Sequence, residues 1–245
     1  MKRIMIVLLL IYSTNYIFSQ KHQKIIVSND VEIIKVTENV FVHVSYSTIE
    51  NYGRVASNGM ILVNNGKAAL FDTPMTEELT RELIAWITDS LKCKITLFVP
   101  NHWHSDCMGG LEYLHSLGIE SYANEMTVKI AGSKNLPVPK HGFKDSTTLL
   151  LGTTKIFCEY LGAAHSMDNI VVWIPSEKIL FPGCIVKEIN AKNLGNTADG
   201  DLNAYPETVE KILNKYKDAE FVIPGHGNFG GLELLKHTLE LAKKK

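Results

Sequence analysis

Short apolar segments alternate with amphipathic ones along most of this chain, a pattern that is typical of α/β proteins. Strands are predicted at residues 31–45, 59–63, 68–71, 95–99, 156–161, 170–174, 179–181 and 221–223. Apolar side chains three and four residues apart predict helices at 76–91 and 106–117, one that begins near 206, and one at the C-terminus. The fold class is therefore α/β, and Asn64-Asn65-Gly66 predicts a hairpin turn.

Length and composition are those of an ordinary globular protein. Of the 245 residues, 45% are hydrophobic, which is enough to fill the core of one large α/β domain. The 25 basic and 26 acidic residues leave a net charge of −1. Because nucleic-acid binding usually needs an excess of basic side chains, we expect no nucleic-acid partner.

The N-terminus differs from the rest of the chain. Met1-Lys2-Arg3 is basic, residues 4–11 are almost purely aliphatic, and residues 13–20 are more polar, as in a secretory signal peptide. The apolar run is short for a membrane span, and the alternative is an N-terminal strand. We predict a signal peptide at 1–20 and a single domain at 21–245, located in the periplasm and without stable membrane association after cleavage.

A His-x-His-x-Asp motif follows the predicted strand at 95–99. Two histidines two residues apart on extended backbone, His102 and His104, point their side chains the same way. A turn brings Asp106 in from the side. All three side chains are of types that bind zinc, so the motif indicates a metal site.

Metal-binding side chains also follow four other predicted strands. Asp72 follows 68–71, His165 follows 156–161, Cys184 follows 179–181 and His226 follows 221–223. Loops at strand ends are where α/β scaffolds present functional side chains, so we expect these residues to meet. Asp72 is expected to orient the site without binding metal, and its alternative role is to cap the helix that follows Pro74.

Two zinc sites are predicted from six of these residues. A first zinc would be bound by His102, His104 and His165, and a second by Asp106, Cys184 and His226. Three histidines leave the fourth tetrahedral position open for a water whose pKa falls to about 7. A thiolate is a strong, soft ligand for the second zinc.

The other histidines and cysteines are interpreted as structural. The histidines without this context are His22, His43, His115, His141 and His237. Cys93 and Cys158 are expected to be buried thiols. Cys107, next to a ligand, is within reach of the surroundings of the second zinc, but its side chain should point away from Asp106, and no partner is predicted for it.

The motifs resemble those of the metallo-β-lactamases, specifically the di-zinc first subclass of class B. The matching residues are His102-x-His104-x-Asp106, Gly109-Gly110, Gly162-x-x-His165, Asp168-Asn169, Gly183-Cys184, Lys187, Asn196 and Gly225-His226. The resemblance covers the chain from about residue 31 to the C-terminus. It is closest to the enzymes of Bacteroides-like bacteria, which also carry a cysteine directly after the aspartate of the motif.

This resemblance implies a fold and separates the chain from related hydrolases. The fold would be a four-layer αβ/βα sandwich, with two β-sheets face to face and helices outside both. Thioesterases and ribonucleases of the same fold typically have histidine where this chain has Cys107, and a bridging aspartate where it has Cys184. Both differences favour a β-lactamase. A non-catalytic zinc protein remains the alternative from another class.

The resemblance also implies a reaction. The protein would hydrolyse the ring amide of penicillins, cephalosporins and carbapenems, and so confer resistance, with a zinc-bound hydroxide as nucleophile and no covalent intermediate. Asp106 would orient the nucleophile, Asn196 would stabilise the oxyanion, and Lys187 would bind the substrate carboxylate. A flap at 46–58, with apolar Ile49, Tyr52 and Val55, would cover the substrate. The protein is expected to be a monomer.

Overall fold

A computed structural model describes residues 22–244 of the chain. The predicted signal peptide lies outside the described residues. None of the helices within 22–244 has both the length and the apolarity that crossing a membrane would require.

The first sheet has eight strands that lie side by side in chain order. They are β1 (Lys24–Ile26), β2 (Val31–Lys35), β3 (Val40–Ile49), β4 (Gly53–Asn64), β5 (Lys67–Phe71), β6 (Lys94–Val99), β7 (Glu120–Asn124) and β8 (His141–Phe143). The sheet is antiparallel up to β5 and parallel from β5 to β8. The predicted hairpin turn joins β4 to β5, where Asn65 and Gly66 have φ of 48° and 74°, the conformation that Asn-Gly favours in such turns.

The second sheet has five strands in the spatial order β13-β12-β11-β10-β9. These strands are β9 (Ser146–Leu151), β10 (Thr154–Glu159), β11 (Val171–Ile174), β12 (Ile179–Gly183) and β13 (Phe221–Pro224). All neighbours are antiparallel except β12 and β13, which are parallel. The carboxyl ends of β12 and β13 therefore lie at the same edge of this sheet.

Helices cover the outer faces of both sheets. The helices are α1 (Glu77–Ser90), α2 (Ser105–Met108), α3 (Leu111–Ser116), α4 (Glu125–Ser133), α5 (Tyr205–Lys215) and α6 (Glu233–Lys243). Residues such as Val42, Leu62 and Phe181 fill the space between the sheets. Separate apolar clusters join the first sheet to α1 and α3, and the second sheet to α5 and α6. The predicted four-layer sandwich is confirmed.

The prediction of one continuous helix at 106–117 is wrong. Two short helices, α2 and α3, are separated by Gly109 and Gly110. A Cβ on Gly109 would lie 2.1 Å from the carbonyl oxygen of Met75, and one on Gly110 would lie 2.2 Å from Oγ1 of Thr80. Close backbone packing against the start of α1 therefore breaks the helix, a tertiary effect that apolar periodicity does not report.

Candidate metal centre

Three groups of potential metal ligands meet at one edge of the sandwich; two of them share no residue, and the third, His102, Asp106 and Cys107, overlaps with both. His102, His104 and His165 form the first group, and Asp106, Cys184 and His226 form the second. Each residue contributes one potential ligand atom, and the three atoms of a group lie within 4.8 Å of one another. The first and second groups are the two sets of three that the sequence analysis expected to meet, and metal binding by each residue stays a prediction.

Loops after the strands carry these side chains. His102 and His104 follow β6, Cys184 follows β12 and His226 follows β13. Gly183 has φ of 54°, which turns the chain sharply before Cys184. A Cβ on Gly225 would lie 2.3 Å from Sγ of Cys184, so glycine there makes room for the thiol.

Asn101, the residue before the first histidine, ties the two sheets together. Its backbone N–H donates to Oδ1 of Asp72, at the end of β5, and its side-chain NH₂ donates to the carbonyl oxygens of Ile170 and Pro182. Asp72 and Asn101 are each 1% exposed. Asp72 therefore fixes the backbone that enters the motif. Its alternative role as a helix cap is wrong, because Thr76 caps α1.

A second buried carboxylate holds the middle of the motif. Oδ2 of Asp168 accepts hydrogen bonds from the backbone N–H of Trp103, at 3.0 Å, and from the hydroxyl of Thr127, at 2.7 Å. The ring of Trp103 lies under the ammonium of Lys134, at 4.3 Å from ring centroid to Nζ. The backbone between the two histidines is thus positioned by residues outside the motif.

The hydrogen-bond partners of the first two histidines determine which ring nitrogens carry protons. Nδ1 of His102 lies 3.2 Å from Oδ1 of Asn101, an acceptor, so this nitrogen carries the proton and Nε2 carries a lone pair. Nε2 of His104 lies 2.9 Å from Oδ2 of Asp199, so its proton is on Nε2 and the lone pair is on Nδ1. Burial lowers the pKa of His102 to about 3, which keeps this ring neutral.

These two lone pairs face each other. Nε2 of His102 and Nδ1 of His104 are 2.8 Å apart, so both nitrogens are directed at the same place and one cation can bind both. His165 is 6% exposed, and burial, followed by the neighbouring His102, lowers its pKa well below the usual range. Three converging imidazoles are the donor set of an open zinc site, so the residues fit a zinc ion.

The second group combines a carboxylate, a thiol and an imidazole. Oδ2 of Asp106 lies 3.1 Å from Nε2 of His226 and 3.6 Å from Sγ of Cys184. Burial alone would lower the pKa of His226, but the charges of Cys184 and Asp106 outweigh it and raise that pKa well above its usual value. Nδ1 of His226 donates to the carbonyl oxygen of Ala56 at 2.7 Å, which leaves Nε2 directed at the group. The donors fit a cation that accepts sulfur.

Cys107 lies against both ligand groups. Its Sγ lies 3.2 Å from Nδ1 of His102. Hydrogen bonding with Cys107 lowers the pKa of Cys184 to about 6 against the effect of burial, while burial raises the pKa of Cys107 well above its usual value. The expected orientation away from Asp106 is wrong, because the thiol lies within 4.8 Å of a ligand atom of that residue.

The two residues expected to bind substrate lie beside the ligand groups. Nζ of Lys187 donates to the carbonyl oxygen of Cys184 at 2.8 Å, and burial lowers the pKa of this lysine. Asn196 is exposed, and its Oδ1 accepts from the backbone N–H of Ala198 at 3.1 Å. Because the oxygen is used in this way, the NH₂ group of Asn196 is the end able to donate to a ligand.

A cavity of about 710 Å³ opens over the ligand groups. Ile49, Tyr52 and Val55, at the tip of the β3–β4 hairpin, line it as the flap prediction implies. Other apolar lining comes from Met75, Trp103, Met108, Leu136 and Pro137. A larger cavity of about 920 Å³ lies elsewhere and includes none of the six potential ligands, so the chemistry points to the first cavity.

Asp199 positions a potential ligand, His104, and no motif in the sequence predicts this role. It fixes the proton of His104 from 95 positions further along the chain, in a loop without a recognisable motif. The five histidines interpreted as structural contact other parts of the protein; for example, Nε2 of buried His43 donates to the carbonyl oxygen of Asp72 at 3.1 Å. Cys93 and Cys158 are free and buried, as predicted.

Comparisons with known proteins identify the family of the chain. A family model described as the metallo-beta-lactamase superfamily matches residues 52–226. The chain is 48% identical over 228 residues to a metallo-beta-lactamase type 2 of Bacteroides fragilis, covering 93% of this chain and 91% of that relative. A relative of the same name from Pseudomonas aeruginosa is 36% identical, covering 88% and 85%. The solved structure of a metallo-beta-lactamase from Pontibacter korlensis superposes with a TM-score of 0.84 at 38% identity, covering 88% and 100%.

Replacing Asp199 with alanine should weaken metal binding by the three-histidine group. Without the carboxylate, nothing holds the proton of His104 on Nε2, and loss of such an outer partner typically costs about 10- to 100-fold in metal affinity. Competition with a chromophoric chelator measures this affinity for zinc. Asp218→Ala removes an exposed carboxylate between α5 and β13 and should leave the affinity unchanged; equal affinities in both variants would contradict the role of Asp199.

Proposed function

The chain belongs to the metallo-β-lactamase superfamily, and on this basis we propose that it is a zinc-dependent β-lactamase that confers resistance by hydrolysing the ring amide. The observation that carries the proposal is the meeting of Asp106, Cys184 and His226 directly beside the three-histidine group. The relatives that cover most of the chain carry the name metallo-beta-lactamase, which agrees with this reaction.

We propose one zinc ion for each ligand group. His102, His104 and His165 would hold the first, and Asp106, Cys184 and His226 the second. Bound zinc supplies a Lewis acid and lowers the pKa of a coordinated water to about 7, which provides a nucleophile at neutral pH. Asp106 has its carboxylate between the two groups, and it can orient that nucleophile toward a substrate in the cavity.

Asn196 and Lys187 would bind the substrate from the same loop region. Asn196 lines the cavity with its oxygen anchored on Ala198, so its NH₂ group can donate to the carbonyl oxygen as negative charge develops there. An ammonium has three donors, and Lys187 uses one on the carbonyl oxygen of Cys184. The others can bind the carboxylate that β-lactams carry near the ring.

The setting of the enzyme is also part of the proposal. We propose that residues 1–20 direct export and are removed, and that residues 21–245 act as a single-domain monomer in the periplasm without stable attachment to the membrane. Charge supports the absence of a nucleic-acid partner, because 25 basic and 26 acidic residues nearly balance.

A turnover assay tests the proposed reaction. Purified protein loaded with zinc should open the ring of a carbapenem, observed as loss of the ring's ultraviolet absorbance. A strong chelator should abolish turnover, and added zinc should restore it, because the nucleophile depends on the metal. Folded, zinc-loaded protein that turns over no penicillin, cephalosporin or carbapenem would contradict the proposal, and hydrolysis of a thioester instead would indicate another enzyme of this fold.

The segment between α4 and β8 offers a test of how the cavity selects substrates. Leu136 is 37% exposed and lines the cavity, whereas Val138 is 41% exposed and lies outside the lining. The two residues thus share a loop and a degree of exposure but differ in their relation to the cavity. Apolar acyl side chains of a substrate would contact Leu136 together with the flap residues Ile49 and Tyr52.

Replacing Leu136 with alanine should raise KM for a benzyl-bearing penicillin about threefold to tenfold, because apolar contact with the substrate side chain is lost. The KM for aminopenicillanic acid, which lacks that side chain, should stay unchanged. Steady-state kinetics on both substrates measures the difference. Val138→Ala is the matched control and should behave like the unaltered protein. An equal change with both substrates, or the same change in both variants, would contradict the assignment.

A further inference from the structure

A single residue of β4, Asn58, makes three hydrogen bonds to the segment from Pro224 to Gly227, which we call the His226 loop. The carbonyl oxygens of Pro224, at 2.9 Å, and of Gly227, at 2.7 Å, accept from Nδ2 of Asn58. The carbonyl oxygen of Gly225 accepts from the backbone N–H of Asn58 at 2.8 Å. Both ends and the middle of the loop are therefore held against one strand of the first sheet.

The buried position of Asn58 makes these hydrogen bonds costly to lose. Asn58 is 3% exposed, and Pro224 and Gly225 are also buried. Polar groups that are removed from water need hydrogen-bond partners inside the protein. A primary amide supplies two N–H donors, and Asn58 uses both on the two ends of the loop. A side chain of the same shape without donors would therefore release the loop at both ends.

The ring of His226 is positioned from the same strand. Its Nδ1 donates to the carbonyl oxygen of Ala56 at 2.7 Å, and Ala56 lies on β4 close to Asn58. Its Nε2 lies 3.1 Å from Oδ2 of Asp106. Because the ring and the backbone of His226 are both fixed to β4, movement of the loop away from this strand would displace Nε2 from the second ligand group.

Different residues support the first ligand group. Asp199 contacts the ring of His104, and Asp168 accepts a hydrogen bond from the backbone N–H of Trp103, between the first two histidines. These contacts come from loops and from the turn after β6, not from the strand that carries Asn58. Loss of the hydrogen bonds made by Asn58 should therefore act on the second group and spare the first.

We propose that Asn58 is a positioning residue for the second zinc ion, because it fixes the His226 loop against β4. The proposal rests on the proposed function, since it requires Asp106, Cys184 and His226 to hold zinc. Asn58 acts through the place that it gives to Nε2 of His226. Loss of an outer partner of this kind typically costs about 10- to 100-fold in metal affinity.

Cobalt in place of zinc gives a site-specific measure of this affinity. A sulfur-to-cobalt charge-transfer band reports the second group, which contains Cys184, whereas the first group has only nitrogen ligands. Asn58→Leu keeps the branched shape of the side chain and removes both N–H donors. In a titration of metal-free protein against a competing chelator, this variant should need about 10- to 100-fold more free cobalt to develop the band. The affinity of the first group, followed by its weaker visible bands, should stay nearly unchanged.

Asn64→Leu is the matched control. Asn64 lies further along β4, and its Nδ2 likewise donates to the second sheet, to Oγ1 of Thr154 at 2.7 Å. This variant loses a comparable contact between the sheets, and both cobalt affinities should equal those of the unaltered protein. Equal losses at both groups in Asn58→Leu, or the same loss at the second group in both variants, would make Asn58 a general stabilising contact and overturn the proposal.

Hydrogen exchange in the metal-free protein tests the loop without any metal. Asn58→Leu should speed up backbone amide exchange at residues 225–228, and Asn64→Leu should not; unchanged exchange in Asn58→Leu would overturn the proposal. If Asn58→Leu does not fold, NMR of the unaltered protein replaces it. Both Nδ2 protons of Asn58 should then exchange slowly with solvent, and fast exchange of either would overturn the proposal.

Failure of the proposed function gives a different result. Unaltered protein that never develops the charge-transfer band would contradict a metal at Cys184, and with it the role of Asn58 in metal binding. Exchange at residues 225–228 would still be faster in Asn58→Leu in that case, because the hydrogen bonds to the loop do not depend on the metal. Turnover of β-lactams is not among these readouts.

Discussion

The buried side chain of Asn101 holds the two sheets together at the edge where the potential ligands meet. Its amide donates to the carbonyl oxygens of Ile170, directly before β11, and Pro182, in β12, while its backbone N–H is fixed by Asp72. A buried polar group of this kind is costly unless satisfied, so the network specifies one relative position of the sheets. A Cβ on Gly183 would lie 2.5 Å from Cγ of Asn101, which explains the glycine before Cys184.

This junction brings together side chains whose potential ligand atoms converge at one place. Lone pairs of His102 and His104 face each other, and the carboxylate of Asp106 lies close to the thiol of Cys184. Outer partners hold these ligands in place: Asp199 on His104, Ala56 on His226 and Cys107 on His102. These side chains are held in place before a metal binds, so metal binding would not include the free-energy cost of ordering them.

Much of the fold and the ligand set could be predicted because the signals are local. The helix predicted at 76–91 is observed as α1, and the ligands directly follow short apolar strands. Residues 120–151 were not predicted, since β7 and β9 are short and rich in polar residues. Asn101 and Asp199 could not be found, because their roles depend on contacts with residues far away in the chain. The predicted orientation of the Cys107 side chain was wrong. Because α2 has only four residues, it does not carry Cys107 away from the ligands as a longer helix would.

The most direct test of the account is the zinc content of Cys184→Ser, measured by equilibrium dialysis and elemental analysis beside the unaltered protein. The division into two ligand groups predicts that the variant loses the second zinc ion and keeps the first with nearly unchanged affinity. Retention of both ions, or equal loss of both, would contradict it.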